Sequence, residues 1–95
     1  MFAAVWLYDV AAKHKKAFIA AYDVDGVWAR LFSESDDYLG TELLKKENGF
    51  LVIDRWTTKR AYEAFLKANR TRYETLNLEF APLRARETLI GRFES

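Results

Sequence analysis

The chain has 95 residues, 51% of them hydrophobic and 16% aromatic, which excludes a disordered chain and suits one domain with its own core. Its 15 Lys and Arg nearly balance 14 Asp and Glu, so the formal charge of +1 argues against nucleic acid as a partner. Because Cys is absent, disulfides, thiolate nucleophiles and Cys-ligated metals are excluded.

The first third of the chain predicts a strand followed by two helices. Phe2–Tyr8 is almost continuously apolar, which is typical of a central strand covered on both faces. Ala11–Ala21 favours a helix, with Phe18 and Tyr22 on one side of it. A second, shorter helix follows, and Asp25 is its predicted N-cap.

The rest of the chain predicts a hairpin, a long helix and a last strand. Tyr38–Lys46 and Phe50–Thr57 read as paired strands, because the Glu47–Gly49 turn between them contains Asn-Gly, which tolerates positive φ angles. Apolar residues at spacings of three and four predict one helix over Lys59–Leu78. Charged and apolar residues alternate over Arg84–Phe93, as in a half-exposed strand.

This order predicts an α+β fold of the ferredoxin-like, split βαβ type. Its two crossovers would place the helices on one face of an antiparallel four-stranded sheet. The other face would then expose apolar side chains, and the same face of a second copy is the simplest cover. We therefore expect one domain over residues 1–95 that forms a homodimer.

Two charged residues lie inside the strand Phe50–Thr57. Asp54 and Arg55 must point to opposite faces of the sheet, because side chains alternate along a strand. Each needs a partner, since a buried unpaired charge costs free energy. One interpretation pairs Arg55 with Glu42 of the neighbouring strand as a plain salt bridge.

The alternative interpretation makes Asp54 a polar anchor in a ligand pocket. Trp56, Tyr62 and Tyr73 could stand beside it and hold a flat aromatic molecule, with their N–H and O–H groups orienting it. Aromatic residues at helical spacing are, however, more often core than site. Both interpretations stay open on the sequence.

Several other chemistries find no support in the sequence. His14 is the only histidine and stands among lysines, with no carboxylate or second ligand at helical spacing. The acidic stretch Glu34–Asp37 has no metal-ligand spacing, so no metal site is predicted. The scattered glycines exclude a phosphate-binding loop, and the third strand lacks the basic, Gly-containing pattern of RNA-recognition domains.

The chain resembles the antibiotic-biosynthesis-monooxygenase family. Trp56, a short polar step and the helix opening Lys59–Phe65 are similar to the strand-Trp-helix signature of these domains. The likeness extends to four further segments, which together look like an uncharacterised subgroup of these domains: Tyr22–Trp28, Tyr38–Leu44, Asp54–Trp56 and Ile90–Phe93. The resemblance covers nearly the whole chain and implies a dimeric α+β barrel.

The resemblance also implies a chemistry. The quinone-forming enzymes of this family oxidise an enol or phenol with O₂, using no flavin or metal, in a pocket lined by Trp, Tyr, Asn and Arg. Trp56 and Tyr62 match two of these residues, but the Asn four residues before the Trp is Val52 here. The haem-degrading branch uses a helix His, which the region around Thr75 lacks.

Two functions from different classes follow from these observations. The first is a homodimeric, cofactor-independent monooxygenase acting on a small flat aromatic or polyketide-like molecule. Its candidate catalytic residues are Trp56 and Tyr62, and its candidate substrate contacts are Asp54, Asn69, Tyr73, Trp28 and Tyr22. The second is a non-catalytic dimeric module that binds a ligand or a protein, its aromatic residues filling the core.

The N-terminus bears on where the protein is expected to act. Residues 1–9 are apolar but have neither the positively charged N-terminal region nor the cleavage site of a secretion signal. No run approaches the ~20 apolar residues that a membrane span needs. We expect a soluble cytoplasmic protein without a membrane partner.

Overall fold

Four strands and two helical crossovers make up the fold, which is described by a computed structural model of all residues from Met1 to Ser95. The elements are β1 (Phe2–Asp9), α1 (Lys15–Tyr22), α2 (Val27–Phe32), β2 (Tyr38–Lys46), β3 (Gly49–Trp56), α3 (Lys59–Ala68), α4 (Arg70–Phe80) and β4 (Arg86–Glu94). Short 3₁₀ turns at Ala12–His14 and Ala81–Leu83 precede α1 and β4. None of the helices is long and apolar enough to cross a membrane.

The sheet has the strand order β2-β3-β1-β4, and every neighbouring pair is antiparallel. Both crossovers carry their helices over one face, so the predicted α+β ferredoxin-like fold is confirmed. The core lies between that face and the helices, where Phe18 of α1 and Trp56 of β3 are completely buried.

Strand β3 shows how the sheet separates its two faces. Phe50, Val52 and Trp56 are buried in the core, and Asp54 shares their face at 9% exposure. The residues between them, Leu51, Ile53 and Arg55, lie on the other face and are only partly buried. The predicted opposition of Asp54 and Arg55 is therefore confirmed.

The face away from the helices, called the open face below, carries the apolar residues Val5, Leu7, Leu44, Leu51, Ile53 and Phe93. Phe93 is 53% exposed and Leu44 is 43% exposed. The predicted ion pair is present on this face, where Arg55 Nη1 donates to Glu42 Oε1 at 3.0 Å. Both partners are partly solvated, so the pair contributes little to stability, about 0–1 kcal/mol.

The predicted long helix Lys59–Leu78 is wrong in one respect, because a break at Asn69 divides it into α3 and α4. Asn69 has φ −117° and ψ 27°, outside helical values. Its side-chain Nδ2 donates to the Phe65 carbonyl at 3.0 Å, which competes with the helix's own hydrogen bonds. The Thr58 hydroxyl caps α3 by accepting from the Ala61 N–H at 3.0 Å.

Two smaller predictions also need correction. Gly26, not Asp25, is the N-cap of α2, because the Gly26 N–H bonds the Asp23 carbonyl in a turn that delays the helix. The strict alternation predicted for β4 fails at a bulge opposite Val5 and Trp6. Beyond that bulge Arg92 lies on the helix side of the sheet, as Glu87 does.

Strand β3 begins with a close backbone approach to β1 at Gly49. A Cβ there would lie 1.9 Å from the Tyr8 carbonyl oxygen, whereas a Cβ on Gly91 would meet only the flexible Phe93 ring, at 2.8 Å.

We expect Gly49→Ala to lower the free energy of unfolding by about 1–3 kcal/mol, since backbone cannot yield as a side chain can. Gly91→Ala is the matched control and should change it by less than about 0.5 kcal/mol. Urea denaturation at fixed protein concentration measures both. Equal values for the two variants would contradict the close approach.

Candidate functional site

A narrow cleft lies between the helix side of the sheet and helices α2 and α4. Its lining is mostly aromatic, with a few polar groups: Trp6, Tyr8, Tyr22, Trp28, Phe32, Val52, Asp54, Tyr73, Asn77 and Glu87. The room left at its centre is about 20 Å³, enough for one water molecule. The cleft brings together four of the predicted contacts, namely Asp54, Tyr73, Trp28 and Tyr22.

Asp54 is the only charged residue in the buried core. Its Oδ1 accepts a hydrogen bond of 2.6 Å from the Thr41 hydroxyl, and no other group bonds the carboxylate. Burial raises the pKa of Asp54 to about 6, an effect that the Thr41 hydrogen bond partly offsets. A carboxylate with such a pKa can take up a proton near neutral pH.

Trp28 supplies an unused hydrogen-bond donor at the cleft. Its ring meets Tyr73 edge to face, with ring centroids 5.2 Å apart. Its indole Nε1 is buried and makes no hydrogen bond of good geometry, although it lies close enough to the Tyr22 hydroxyl to lower the pKa of Tyr22. A buried donor without a well-formed bond is uncommon and costly. A ligand atom in the cleft would relieve that cost by accepting from it.

Tyr73 lines the same cleft. Burial raises the pKa of Tyr73, and the nearby Tyr62, Glu87 and Asp54 raise it further. Tyr73 therefore stays protonated at neutral pH and can act as a neutral donor.

A half-buried arginine, Arg84, bonds residues at one end of the cleft. Arg84 donates to the Tyr22 hydroxyl and to Asn77 Oδ1, each at 2.8 Å, and stands 3.7 Å from Glu87. Its guanidinium also lies 5.9 Å from the centre of the Tyr8 ring. Burial raises the pKa of Tyr22, and Arg84 offsets part of that rise.

Trp56 and Tyr62 do not line the cleft. Trp56 is fully buried, with its ring 5.3 Å from Tyr38, 5.5 Å from Phe32 and 5.6 Å from Tyr62. Its Nε1 also lacks an acceptor. Burial raises the pKa of Tyr62, while Arg92 across its ring lowers it. Trp56 thus belongs to a packed layer beside Asp54, whereas Tyr62 contacts it from α3 and also lines an open surface pocket of about 450 Å³ with Tyr73 and Arg92.

Asn69 lies at the break between α3 and α4, and it does not line the cleft. Its Nδ2 donates to Phe65, and its Oδ1 accepts from Arg72 at 3.1 Å. Both ends of the amide are therefore engaged. Asn77, two helical turns later, supplies the amide that the cleft contains.

Sequence reasoning missed Arg84, Asn77, Glu87 and Thr41. One signal was readable for Thr41, since it is opposite Asp54 once the hairpin register is known. Arg84 and Glu87 lie at the start of β4, and their position at the cleft depends on tertiary packing that no local pattern reveals. No three His, Asp or Glu side chains stand close enough together to hold a metal ion.

The raised pKa of Asp54 predicts how stability depends on pH. Between its ordinary value of 3.8 and about 6, the folded chain binds more protons than the unfolded chain. Stability therefore falls as pH rises through this window, by about 3 kcal/mol in total.

We expect Asp54→Asn to remove this loss, so that the variant exceeds the wild type in stability at pH 7 and not at pH 4. Urea denaturation at both pH values measures the difference. Asp37→Asn, at an exposed carboxylate, should keep the wild-type dependence. An unchanged pH dependence in Asp54→Asn would refute the assignment.

No protein-family model matches the sequence, and no curated protein matches it. Solved structures do match. A candidate antibiotic biosynthesis monooxygenase from Nitrosomonas europaea has a TM-score of 0.73 at 14% identity, with 100% of this chain and 98% of that chain covered.

Two further structures agree with the first. SnoaB, a cofactor-independent oxygenase from Streptomyces nogalater crystallised as a mutant, has a TM-score of 0.66 at 19% identity, over 99% of this chain and 91% of its own. MupZ from Pseudomonas fluorescens has a TM-score of 0.67 at 14% identity, over 96% of this chain and 68% of its own. The chain thus has the α+β ferredoxin-like fold of antibiotic biosynthesis monooxygenases.

Proposed function

We propose that this chain is a small homodimeric protein of the antibiotic-biosynthesis-monooxygenase type that oxidises a flat aromatic or polyketide-like molecule with O₂, without a cofactor. The observation that carries the proposal is the buried Asp54 carboxylate, held by one oxygen at an aromatic cleft. The fold likeness to a cofactor-independent oxygenase supports it.

Asp54 acts as the proton acceptor. Its Oδ1 is engaged by Thr41, so Oδ2 is the oxygen available to a phenol or enol in the cleft. With a pKa of about 6, the carboxylate is mostly ionised at pH 7 and still basic enough to take the proton. Removal of that proton leaves an electron-rich enolate or phenolate, the form that reacts with O₂.

Trp28 and Tyr73 stabilise the resulting oxyanion. The Trp28 Nε1–H makes no hydrogen bond of good geometry, and Tyr73 lines the same cleft. Donors fixed in a water-poor site are worth more to a developing charge than donors in bulk water. Tyr22, held by Arg84, completes the polar rim.

The oxidation balances with O₂ as the only oxidant. A ring CH₂ that can enolise loses both hydrogens, one oxygen atom of O₂ becomes the new carbonyl, and the other leaves as water. The substrate is oxidised by four electrons and O₂ is reduced by four. No external reductant is needed.

Trp56 and Tyr62 have a supporting role in this proposal. They pack beside Asp54 and hold β3 and α3 together, so that the carboxylate keeps its position. Val52, at the position where related quinone-forming enzymes carry Asn, lines the cleft as an apolar wall. Asp54 then supplies the polar chemistry that an Asn would otherwise provide.

A flat ring needs more room than the cleft offers, so binding requires Tyr73 and α4 to move outward. Helix α4 has no buried residue, and Leu78 on it is 77% exposed. It also begins at the break at Asn69. Its displacement would break the contact of Tyr73 with Trp28 and the Arg84–Asn77 hydrogen bond, but would expose no fully buried side chain of α4.

The proposed oxidation is tested by O₂ uptake with a tricyclic anthrone, followed by the absorbance of the quinone product. We expect Asp54→Asn to lower the rate about 100-fold or more, since a positioned base contributes about that much. Trp28→Phe should lower it about 10-fold or more, because it loses the N–H donor.

Asp37→Asn, at an exposed carboxylate, is the matched control and should keep the wild-type rate. Trp56→Phe and Tyr62→Phe test whether these two residues support Asp54. Full activity in both variants would remove them from the mechanism. A wild-type rate in Asp54→Asn would remove the proposed base.

A non-catalytic ligand-binding or interaction module is the second candidate, and the solid packing around Trp56 favours it. No ligand-sized cavity adjoins that residue. Such a module would bind the anthrone, seen as quenching of Trp fluorescence, without consuming O₂. Binding without uptake in the wild type would decide for this candidate.

The homodimer is also part of the proposal. The open face exposes apolar side chains in the centre of the sheet, and an identical open face covers them when two copies meet about a two-fold axis. The ion pair of Arg55 and Glu42 would then lie near the edge of the interface, where partial solvation limits its cost.

We expect the wild type to elute as a particle of twice its 11.1 kDa mass at micromolar concentration. Ile53→Lys on the open face should shift it to the monomer, because a charge would be buried in the interface. Leu78→Lys, at an exposed position of helix α4, is the control and should elute with the same mass as the wild type. Size-exclusion chromatography with light scattering measures this, and a monomeric wild type would contradict the dimer.

A further inference from the structure

A bulge in the edge strand β2 brings two hydroxyl side chains to one face. Tyr38 is paired with Trp56 and Thr41 with Asp54, yet Tyr38 and Thr41 are three positions apart whereas their partners are only two positions apart. Side chains three apart in a regular strand point to opposite faces. The extra residue in the bulge turns both side chains to the helix side, where Asp54 lies.

Gly40 is the residue that permits this bulge. Its φ is +126°, a backbone conformation that residues with a Cβ rarely adopt, yet nothing lies within 4 Å of where a Cβ would be. The glycine is therefore required by the backbone of the bulge and not by lack of space. Bulges of this kind are frequent beside active sites, where they redirect a side chain.

The two hydroxyls and the carboxylate form one hydrogen-bonded chain. The Thr41 hydroxyl donates to Asp54 Oδ1 at 2.6 Å and is also hydrogen-bonded to the Tyr38 hydroxyl. Because Thr41 has a single hydroxyl hydrogen, already given to Asp54, Tyr38 is the donor to Thr41. The carboxylate is thus held from the side of β2 and remains open toward the cleft.

The same chain leads from the core to the edge of the sheet. Asp54 is buried, whereas Tyr38 and Thr41 are partly exposed on β2, which has no neighbour on its outer side. The Tyr38 ring packs on Phe32 and Trp56, with centroids 5.6 and 5.3 Å away, so its hydroxyl is held in place.

We propose that Thr41 and Tyr38 form a positioning and proton-exchange unit for Asp54, built by the Gly40 bulge, that aims the carboxylate at the cleft and connects it to solvent. The role assigned to Asp54 rests on the proposed function, but the unit itself is defined without a substrate.

Proton exchange along this unit is balanced. A proton taken up at Oδ2 comes to face Thr41 when the carboxyl group turns about its Cβ–Cγ bond. The Asp54 hydrogen then passes to the Thr41 oxygen as the Thr41 hydrogen passes to the Tyr38 oxygen and the Tyr38 hydrogen passes to water. One proton leaves and each hydroxyl keeps one hydrogen. The unit returns to the arrangement seen in the structure, with Tyr38 donating to Thr41 and Thr41 donating to Asp54.

Few other titratable groups bear on Asp54. From α3 and α4 the tyrosines Tyr62 and Tyr73 act on it, and from β4 Glu87 shares the cleft while Arg92 acts through Tyr62. From β1 and α1 the tyrosines Tyr8 and Tyr22 share the cleft. Helix α2 contributes only Trp28 and Phe32 to the cleft, and neither titrates. Thr41 is the only group that hydrogen-bonds the carboxylate, so its removal is the cleanest perturbation.

The test is a pH titration of the Asp54 carboxyl carbon by ¹³C NMR on the ligand-free chain. Thr41→Val should raise the pKa of Asp54 by about one to two units, because it removes the donor that stabilises the charged form. Tyr38→Phe should raise it by less, through a weakened Thr41 bond. Thr41→Ser should restore the wild-type value.

Thr57→Val is the matched control, since Thr57 makes the same kind of bond to Asp37, 2.8 Å long, at the surface. It should leave the Asp54 titration unchanged. An Asp54 pKa in Thr41→Val within about 0.3 units of the wild type would overturn the proposal, as would failure of Thr41→Ser to restore it. Since no substrate is used, this result is independent of whether O₂ uptake is found.

Discussion

The structure depends on the alternation of side chains along β3. This strand must present an apolar face to the helices and a second face away from them, so each successive residue belongs to a different environment. Asp54 is a charged residue among the apolar side chains that face the helices. Arg55 is a charged residue on the open face. The outer charge is satisfied by a partly solvated ion pair, whereas the inner charge has one neutral hydroxyl for a partner.

That difference gives the protein its chemical character. A buried carboxylate costs free energy at neutral pH, and replacing it with an apolar residue would be expected to stabilise the fold. The surrounding groups add to the same cost, because Trp28 Nε1 and Trp56 Nε1 are buried without well-formed hydrogen bonds. Unsatisfied polar groups of this kind are more readily understood as parts of a site than as parts of a core.

The order of the elements along the chain, the fold class and the placement of Asp54 and Arg55 on opposite faces could be predicted from the sequence, because these follow from local periodicity and turn chemistry. The sequence also predicted Trp28, Tyr22 and Tyr73 as contacts, and the cleft contains all three. The break at Asn69 was missed because the apolar period continues across it, although the asparagine side chain there bonds its own helix. Arg84 and the bulge at Gly40 depend on tertiary packing and on register, which single-residue patterns do not contain.

Likeness of fold limits function only loosely, since one fold supports many activities. The identity of this chain to the solved structures is 14–19%, so the account depends on its own residues and above all on Asp54. Its most direct test is the ¹³C titration of that carboxyl carbon in the wild type, with and without a tricyclic phenol. The account predicts a midpoint near pH 6 that moves when the phenol binds. A midpoint near the ordinary value of 3.8, unmoved by the phenol, would contradict it.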